Sequence, residues 1–356
     1  MSRDRIDQAR TRIAEIDREL IARAAERVSL GRRIGELKRG LDLPTVDYAQ
    51  ERAVLDRARA VAVEQGIDPE IAVDLCAVLI RAAVSAQDED RVRRSATGAG
   101  QRAVVLGGAG RMGRWFMHFL SAQGFATTSL DPAGPAEENE AASRAVPEAE
   151  LVLCATPPAA TAQLYRAWAQ APPTGVIVDI ASIKSPLLEP IAALRRCGAR
   201  VASMHPMFGP SAVLLRDADV VICDTGDADA GAVAERLFAP TAARLVRMPL
   251  AEHDRVMADL LSLAHATSIA FAFALPGVDH PVRSTTFQAL EDLAGRVVRE
   301  SPDVYFEIQA DNPHSKRALE RLRDAVDRLA TAIASRDAEA FKSIMAQGRR
   351  RTGDGS

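Results

Sequence analysis

An apolar run, Val104-Val105-Leu106, leads into glycines at positions 108, 110 and 113, and a helical segment, Arg114 to Ala122, follows at once. Strand, G-x-G-x-x-G and helix in that order predict a βα turn that cradles a dinucleotide. Gly108 permits the tight turn, Gly110 lets the backbone approach a pyrophosphate, and Gly113 lets helix and strand pack closely. Arg111 and Met112 lie between the last two glycines, just before the helix whose free N–H groups and positive dipole end favour phosphate. A second β-like run, Ala126 to Leu130, delivers Asp131 about 20 residues on, where a carboxylate binds the adenosine ribose hydroxyls and selects NAD over NADP. The competing reading of the glycines is a purely structural turn.

The alternation of strand and helix continues. Leu151 to Cys154, Gly175 to Asp179, Arg200 to His205 and Val220 to Cys223 are apolar and strand-like. Continuous apolar strands joined by helical crossovers predict a parallel sheet covered on both faces, with ligands bound beyond the strands' carboxyl ends. Thr156, Pro157, Ser182 and His205 fall at such ends and are candidates for cofactor contact and chemistry.

Before this α/β region the text is helical. Ile6, Ile13, Ile16, Leu20, Ala24, Val28, Ile34 and Leu37 recur at helical spacing and predict one helix, Arg3 to Arg39, about 55 Å long. Further helices are expected at Tyr48–Gln65 and from Pro69 to about Asp88. A helix this long cannot bury its apolar stripe against two shorter ones, so the subunits of a dimer are expected to share a core. Arg27 and Lys38 are 11 residues apart and lie on nearly one face, whereas Arg10 is rotated by about 100° toward a different site.

The stretch Asp88 to Arg102 is charged, then small and glycine-rich, and reads as an interdomain connection. From Ala251 onward the text is helical again, over Val256–Ala274, Pro281–Glu300, Asp303–Ala310, Ser315–Ile333 and Asp337–Arg349. Phe271 and Phe273 are assigned to a core. The 356 residues thus divide into a helical domain (1–90), a linker (91–102), a Rossmann-like nucleotide domain (103–248), a helical dimerisation domain (249–348) and a tail (349–356).

The net charge of −3 argues against nucleic acid or an anionic membrane as partner. No apolar run approaches the roughly 18 residues of a membrane span. The four cysteines lack metal-ligand spacing and read as buried thiols in a reducing compartment. The expectation is a cytoplasmic, metal-free enzyme acting on small molecules.

Two resemblances sharpen this. Arg10, Arg27, Lys38, Asp47, Glu51 and Gln87 follow the order and spacing of the all-helical chorismate mutases. The segments Arg10-Thr11-Arg12-Ile13-Ala14-Glu15-Ile16-Asp17, Gly35-Glu36-Leu37-Lys38 and Asp47-x-x-Gln50-Glu51-Arg52 support it. The resemblance implies that Arg10 (from the partner subunit), Arg27 and Lys38 clamp the carboxylates of a compact dianion. It places Lys38 and Gln87 on the ether oxygen, and Asp47 and Glu51 at the ring C4 substituent. A Claisen rearrangement suits such residues: it needs a held conformer and stabilisation of charge on oxygen, and no nucleophile. Gln50 stands where relatives often have Arg, and Ala83 where many have Ser. These departures imply reduced mutase activity or a variant substrate such as the 4-amino-4-deoxy analogue; helices kept only for dimerisation are the structural alternative.

The second resemblance is to the prephenate dehydrogenases, and the two together match bifunctional chorismate mutase/prephenate dehydrogenases of tyrosine biosynthesis. It rests on His205-Pro206-Met207-Phe208-Gly209-Pro210, Asp179-Ile180-Ala181-Ser182-Ile183-Lys184, Glu252-His253-Asp254, Leu263-Ala264-His265 and Gly295-Arg296. It implies that hydride leaves C4 of a 4-hydroxycyclohexadiene for NAD while the ring carboxylate departs as CO2. His205 would accept the hydroxyl proton, Ser182 would orient it, and Arg296 would bind a carboxylate. His265 is either a contact to the side-chain carboxylate or structural, and His253 is read as a helix-start residue. A hydroxyacid dehydrogenase of the 6-phosphogluconate type would need a catalytic lysine on a helix, and no segment matches.

Overall fold

The computed structural model describes residues 2–41, 48–212, 215–216, 218–277 and 282–353. Three helices come first: α1 (Ser2–Gly40), α2 (Tyr48–Gln65) and α3 (Pro69–Ser95). The chain turns at Gly66 with φ +70°, a conformation that costs glycine little. Asp68 then caps α3 by accepting from the Glu70 N–H at 2.9 Å, with Pro69 at the first helical position. Helices α1 and α3 approach through small residues. A Cβ on Gly31 would stand 2.6 Å from the Ala83 Cβ, and one on Gly35 would stand 2.7 Å from the Gln87 side chain.

Helix α3 runs past the expected end at Asp88, so half of the stretch read as a linker is helix. Its charges are matched and not merely solvated: Arg32 pairs with Asp90 and Arg94 with Glu36, each at 3.0 Å. Val92, 6% exposed, belongs to the core of the following domain, among Phe119, Phe125 and Leu120. The composition shift that suggested a flexible connection marks instead a helix whose apolar residue is covered by a neighbouring domain.

The α/β domain contains β1 (Arg102–Leu106), α4 (Arg111–Ala122), β2 (Ala126–Leu130), α5 (Ala136–Ala145), β3 (Leu151–Cys154) and α6 (Pro158–Trp168). It continues with β4 (Val176–Asp179), α7 (Leu188–Arg196), β5 (Arg200–Pro206), β6 (Asp219–Asp224), α8 (Ala228–Phe238) and β7 (Arg244–Pro249). The strand order is β2-β1-β3-β4-β5-β6-β7. Two apolar layers flank the sheet. One gathers Phe116, Phe119 and Phe238 from α4 and α8; the other gathers Tyr165, Ile191 and Leu194 from α6 and α7.

The sheet is not uniformly parallel as expected: β6 runs antiparallel to β5, with His205 opposite Val221. No helix lies among the described residues between them, so the chain turns back without the crossover that parallel pairing needs. Strand β7 was not foreseen. Its Arg244-Leu245-Val246-Arg247 text is that of a half-exposed edge strand.

The last domain is helical: α9 (His253–Met257), a π-helical stretch (Ala258–Leu263), α10 (Ala264–Ala274), α11 (Thr285–Val298), α12 (Pro302–Ala310), α13 (Ser315–Ala334) and α14 (Ala338–Thr352). Contrary to the expectation that nothing approaches a membrane span, Leu250–Ala274 is long and apolar enough by length and composition. Its first turn carries His253 and Asp254, both buried and hydrogen-bonded to the sheet domain. Phe273, assigned to the core, is 91% exposed, while Phe271 lies edge-on to Phe287. Cys154 and Cys223 are buried as expected, but Cys197 is exposed.

Candidate active sites

The register of the sheet assembles the first site. Leu106, Cys154, Asp179 and Ser203 pair in one row across β1, β3, β4 and β5. Two positions further on come Gly108, Thr156, Ala181 and His205, so glycine turn and histidine share the strands' carboxyl rim, where such sheets bind ligands.

At the turn, the left-handed residue is Gly107 (φ +77°), not Gly108. A Cβ on Gly108 would overlap the Ser129 hydroxyl, and one on Gly113 would overlap the Gly107 carbonyl. Gly110 is the N-cap of α4 and supplies no side-chain cap, and the first turn has no acid. An uncapped helix end behind a close-packed glycine turn fits the phosphates of a dinucleotide. Asp131 accepts the Ala109 N–H on one oxygen at 3.0 Å and the Ala133 N–H on the other at 2.9 Å. Each oxygen keeps a further lone pair for a ribose hydroxyl. Thr156 shares a 2.8 Å hydrogen bond with Thr161, and Pro157 is the exposed N-cap of α6. Two residues are otherwise engaged. Met112 packs against the core, and the Arg111 guanidinium pairs with Glu300 of the helical domain, bridging the nucleotide turn and α11–α12.

His205 is the penultimate residue of β5 and is 5% exposed. Its Nδ1 lies 3.0 Å from Nε2 of the fully buried His253, whose Nδ1 lies 2.7 Å from Oδ1 of Asp254. Burial, reinforced by His253 and Lys184, holds the His205 imidazole well below its usual range. Burial lowers His253 as well, against the pull of Asp254. Burial alone would raise the Asp254 carboxyl, but hydrogen bonds from His253 and from Lys184 and Ser185 outweigh it and hold it at about 2. The Lys184 and Ser185 N–H groups reach the two Asp254 oxygens at 2.8 and 2.7 Å. This carboxylate therefore ties the serine-containing turn to the start of the helical domain.

Ser182, expected to orient His205, is half-buried and makes no side-chain hydrogen bond among the described residues; the neighbouring imidazole takes that place. Lys184 was also unforeseen. It is fully buried, pairs with Asp179 at 2.6 Å and donates to the Met204 carbonyl at 2.8 Å, one residue before His205. Among the groups expected to touch substrate, Arg296 is exposed in the last turn of α11. His265 is half-buried on α10, edge-on to Tyr305 at 4.4 Å between ring centroids, and lowered by burial.

The second site lies on the N-terminal helices. Arg27, Gly31, Gly35 and Lys38 follow one face of α1, the face that meets Ala83 and Gln87 of α3. Arg27 and Lys38 are half-buried there, with Gln87 between their levels donating to the Gly31 carbonyl at 2.6 Å. Ala83 is spent on helix contact, which accounts for the small side chain. Glu51 does not face this group alone: Arg216, on the loop after the His205 strand, grips it bidentately at 2.7 and 2.9 Å. Arg10 is apart from the rest, 75% exposed at its side chain and paired with Asp7. Gln50 is exposed on α2, and Asp47 lies outside the described residues.

A sheet with a dinucleotide turn, a buried histidine at its rim and helical domains on both sides defines a nucleotide-dependent dehydrogenase joined to a small helical domain. A family model for chorismate mutase type II matches residues 9–88. Models for the nucleotide-binding and dimerization domains of prephenate dehydrogenase match residues 133–247 and 249–347. The 4-amino-4-deoxyprephenate dehydrogenase of Streptomyces pristinaespiralis is 31% identical over 271 residues, 69% of this chain and 89% of that protein. The T-protein of Enterobacter agglomerans is 26% identical over 340 residues, 93% of this chain and 89% of that protein. Among solved structures, prephenate dehydrogenase from A. aeolicus, in complex with hydroxyphenyl propionate and NAD+, shares the fold, with TM-score 0.56 and 16% identity over 71% of this chain and 98% of that one. The chain belongs to the prephenate dehydrogenase family and carries a fused type II chorismate mutase domain.

Proposed function

We propose that the chain rearranges chorismate to prephenate on its N-terminal helices and oxidatively decarboxylates prephenate to 4-hydroxyphenylpyruvate at the sheet rim, with NAD as cofactor. The observation that carries this reading is the buried His205–His253–Asp254 set at the level of the glycine turn. The turn at 107–113 and Asp131 would hold NAD, which when bound supplies the hydride acceptor. His205, a neutral imidazole at working pH, takes the proton from the C4 hydroxyl. Arg296 binds a substrate carboxylate, and His265 contacts the side-chain carboxylate. Loss of CO2 leaves an aromatic ring whose oxygen takes the proton back, so the histidine ends neutral and no net proton is released.

On the helical side, Arg27 and Lys38 clamp the dianion, Gln87 moves from the Gly31 carbonyl to the ether oxygen, and Glu51 with Asp47 meets the C4 hydroxyl. Arg10 is supplied by the partner subunit. The dimer this requires is supported by the apolar stripe of α1, where Ile13 is 58%, Leu20 55% and Leu37 61% exposed in the single chain. Such a stripe is stable in water only when covered.

The test is to offer chorismate, prephenate and 4-amino-4-deoxyprephenate with NAD+ and follow the absorbance of the reduced nicotinamide. Turnover of the first two is expected. Turnover of the amino compound alone overturns the substrate assignment, and turnover of none overturns the reading. Absence of rearrangement in an oxidation-competent protein reduces the N-terminal helices to a dimerisation element.

A further inference from the structure

The histidine pair also determines which nitrogen does the chemistry. Asp254 is ionised and can only accept, so the 2.7 Å contact requires a proton on His253 Nδ1. A neutral His253 then has no proton on Nε2, which must accept across the 3.0 Å contact. The donor in that contact is His205 Nδ1–H, and a neutral imidazole has one N–H only. The basic lone pair of His205 is therefore on Nε2.

We propose that His253, backed by Asp254, is the positioning residue that locks His205 in the Nδ1–H tautomer and makes Nε2 the atom that receives the substrate proton. The inference rests on the reading of His205 as the base and deepens it. When the hydroxyl O–H bond breaks, its electron pair stays on oxygen and the proton goes to Nε2, so the charge produced is an imidazolium hydrogen-bonded through His253 to the Asp254 carboxylate. The proton returns to the same oxygen after decarboxylation, and the chain of hydrogen bonds is restored. The charged groups around the pair are accounted for: Asp254 on α9, and Lys184 with its partner Asp179 on the turn after β4. Lys184 is paired with Asp179 at 2.6 Å, and the Asp254 carboxylate, in direct contact with His253, is the charge that orients both rings.

Asp254 also holds the 184–185 turn, so the informative variants are at His253. His253→Leu removes the acceptor. His253→Gln restores one, because its carbonyl oxygen can take the Nδ1–H of His205. We expect kcat for prephenate oxidation to fall about 10²-fold in the leucine variant with KM little changed, and the glutamine variant to recover at least about tenfold of that loss. Rearrangement of chorismate, measured on the same samples, reports that the chain is folded. Ring ¹⁵N spectra of the wild-type protein, with the His205 signals identified by their loss in His205→Asn, should show protonated Nδ1 and unprotonated Nε2. A wild-type His205 protonated at Nε2, or a leucine variant with full kcat, overturns the proposal. Should His205→Asn itself leave oxidation intact, the catalytic reading fails separately, and the tautomer seen in the spectra still judges the positioning claim.

Discussion

The two candidate sites of this chain are built in opposite ways. At the sheet rim His205, His253 and Asp254 form one hydrogen-bonded run within the same chain, and all three are nearly inaccessible. On the N-terminal helices the charged groups expected to bind substrate are exposed or half-buried, and members of the set hold partners outside it: the buried Gln87 a backbone carbonyl, Glu51 the Arg216 guanidinium, Arg10 the Asp7 carboxylate. The difference follows from the chemistry each half performs. Proton abstraction needs a base of fixed tautomer and tuned affinity, which a rigid, dry surround provides. A rearrangement needs a polar clamp that closes on a dianion, and until it arrives the side chains rest on neighbouring partners, Arg10 on Asp7 and Glu51 on Arg216.

The largest expected effect that separates the two halves is at His205. His205→Asn should lower prephenate oxidation by about 10³- to 10⁴-fold, while chorismate rearrangement keeps its rate; a parallel loss of both would mean the halves are not independent. The mirror experiment is Lys38→Ala. Removing one cation from the ether oxygen should cost about 10²- to 10³-fold in rearrangement and leave oxidation of added prephenate unchanged. Both rates are read spectrophotometrically on one preparation.

A smaller effect tests the buried character of the rim. Asp254 is held at about 2 in the folded chain, against 3.8 for a free carboxyl. A carboxyl depressed on folding stabilises the native state above its unfolded value, and that contribution disappears as pH falls toward the folded one. About 2 kcal/mol of stability should thus be lost between roughly pH 4 and 2, and Asp254→Asn should flatten that part of a urea-midpoint titration. The smallest effect is at the contact between the halves. Arg216→Ala should weaken Glu51 positioning by about 1 kcal/mol, seen as a several-fold change in the mutase KM with no change in prephenate oxidation.

What could be read in the residues alone also divides along this line. The glycine turn, the strands and His205 are local text: strand, turn and helix signals lie within a few residues, and backbone geometry follows from them. His253 was visible but assigned to a helix start, because its partner is 48 positions away and a lone histidine carries no sign of what it faces. Lys184 escaped for the same reason, since a lysine in a turn reads as solvated until Asp179 and the Met204 carbonyl are seen to enclose it. The reversed direction of β6 could have been suspected from the missing crossover helix. On the N-terminal side, helix spacing puts Arg27 and Lys38 on one face of α1 and only the family resemblance adds Gln87, while nothing in the text of α2 announces that Glu51 is held by a loop 165 positions further on.

Helix α3 has a consequence for anyone wishing to cut this chain in two. It starts among the mutase helices and ends with Val92 inserted beside Phe119 and Phe125 of the nucleotide domain, while Arg91 reaches the Pro240 carbonyl. A scission after residue 90 would leave the mutase fragment short of its last helical turn, whereas one in the turn between Ala96 and Gln101 would take Val92 from the nucleotide domain and leave an unfilled notch in its aromatic layer. The two enzymes are spliced through a shared beam, and neither cut leaves both halves whole.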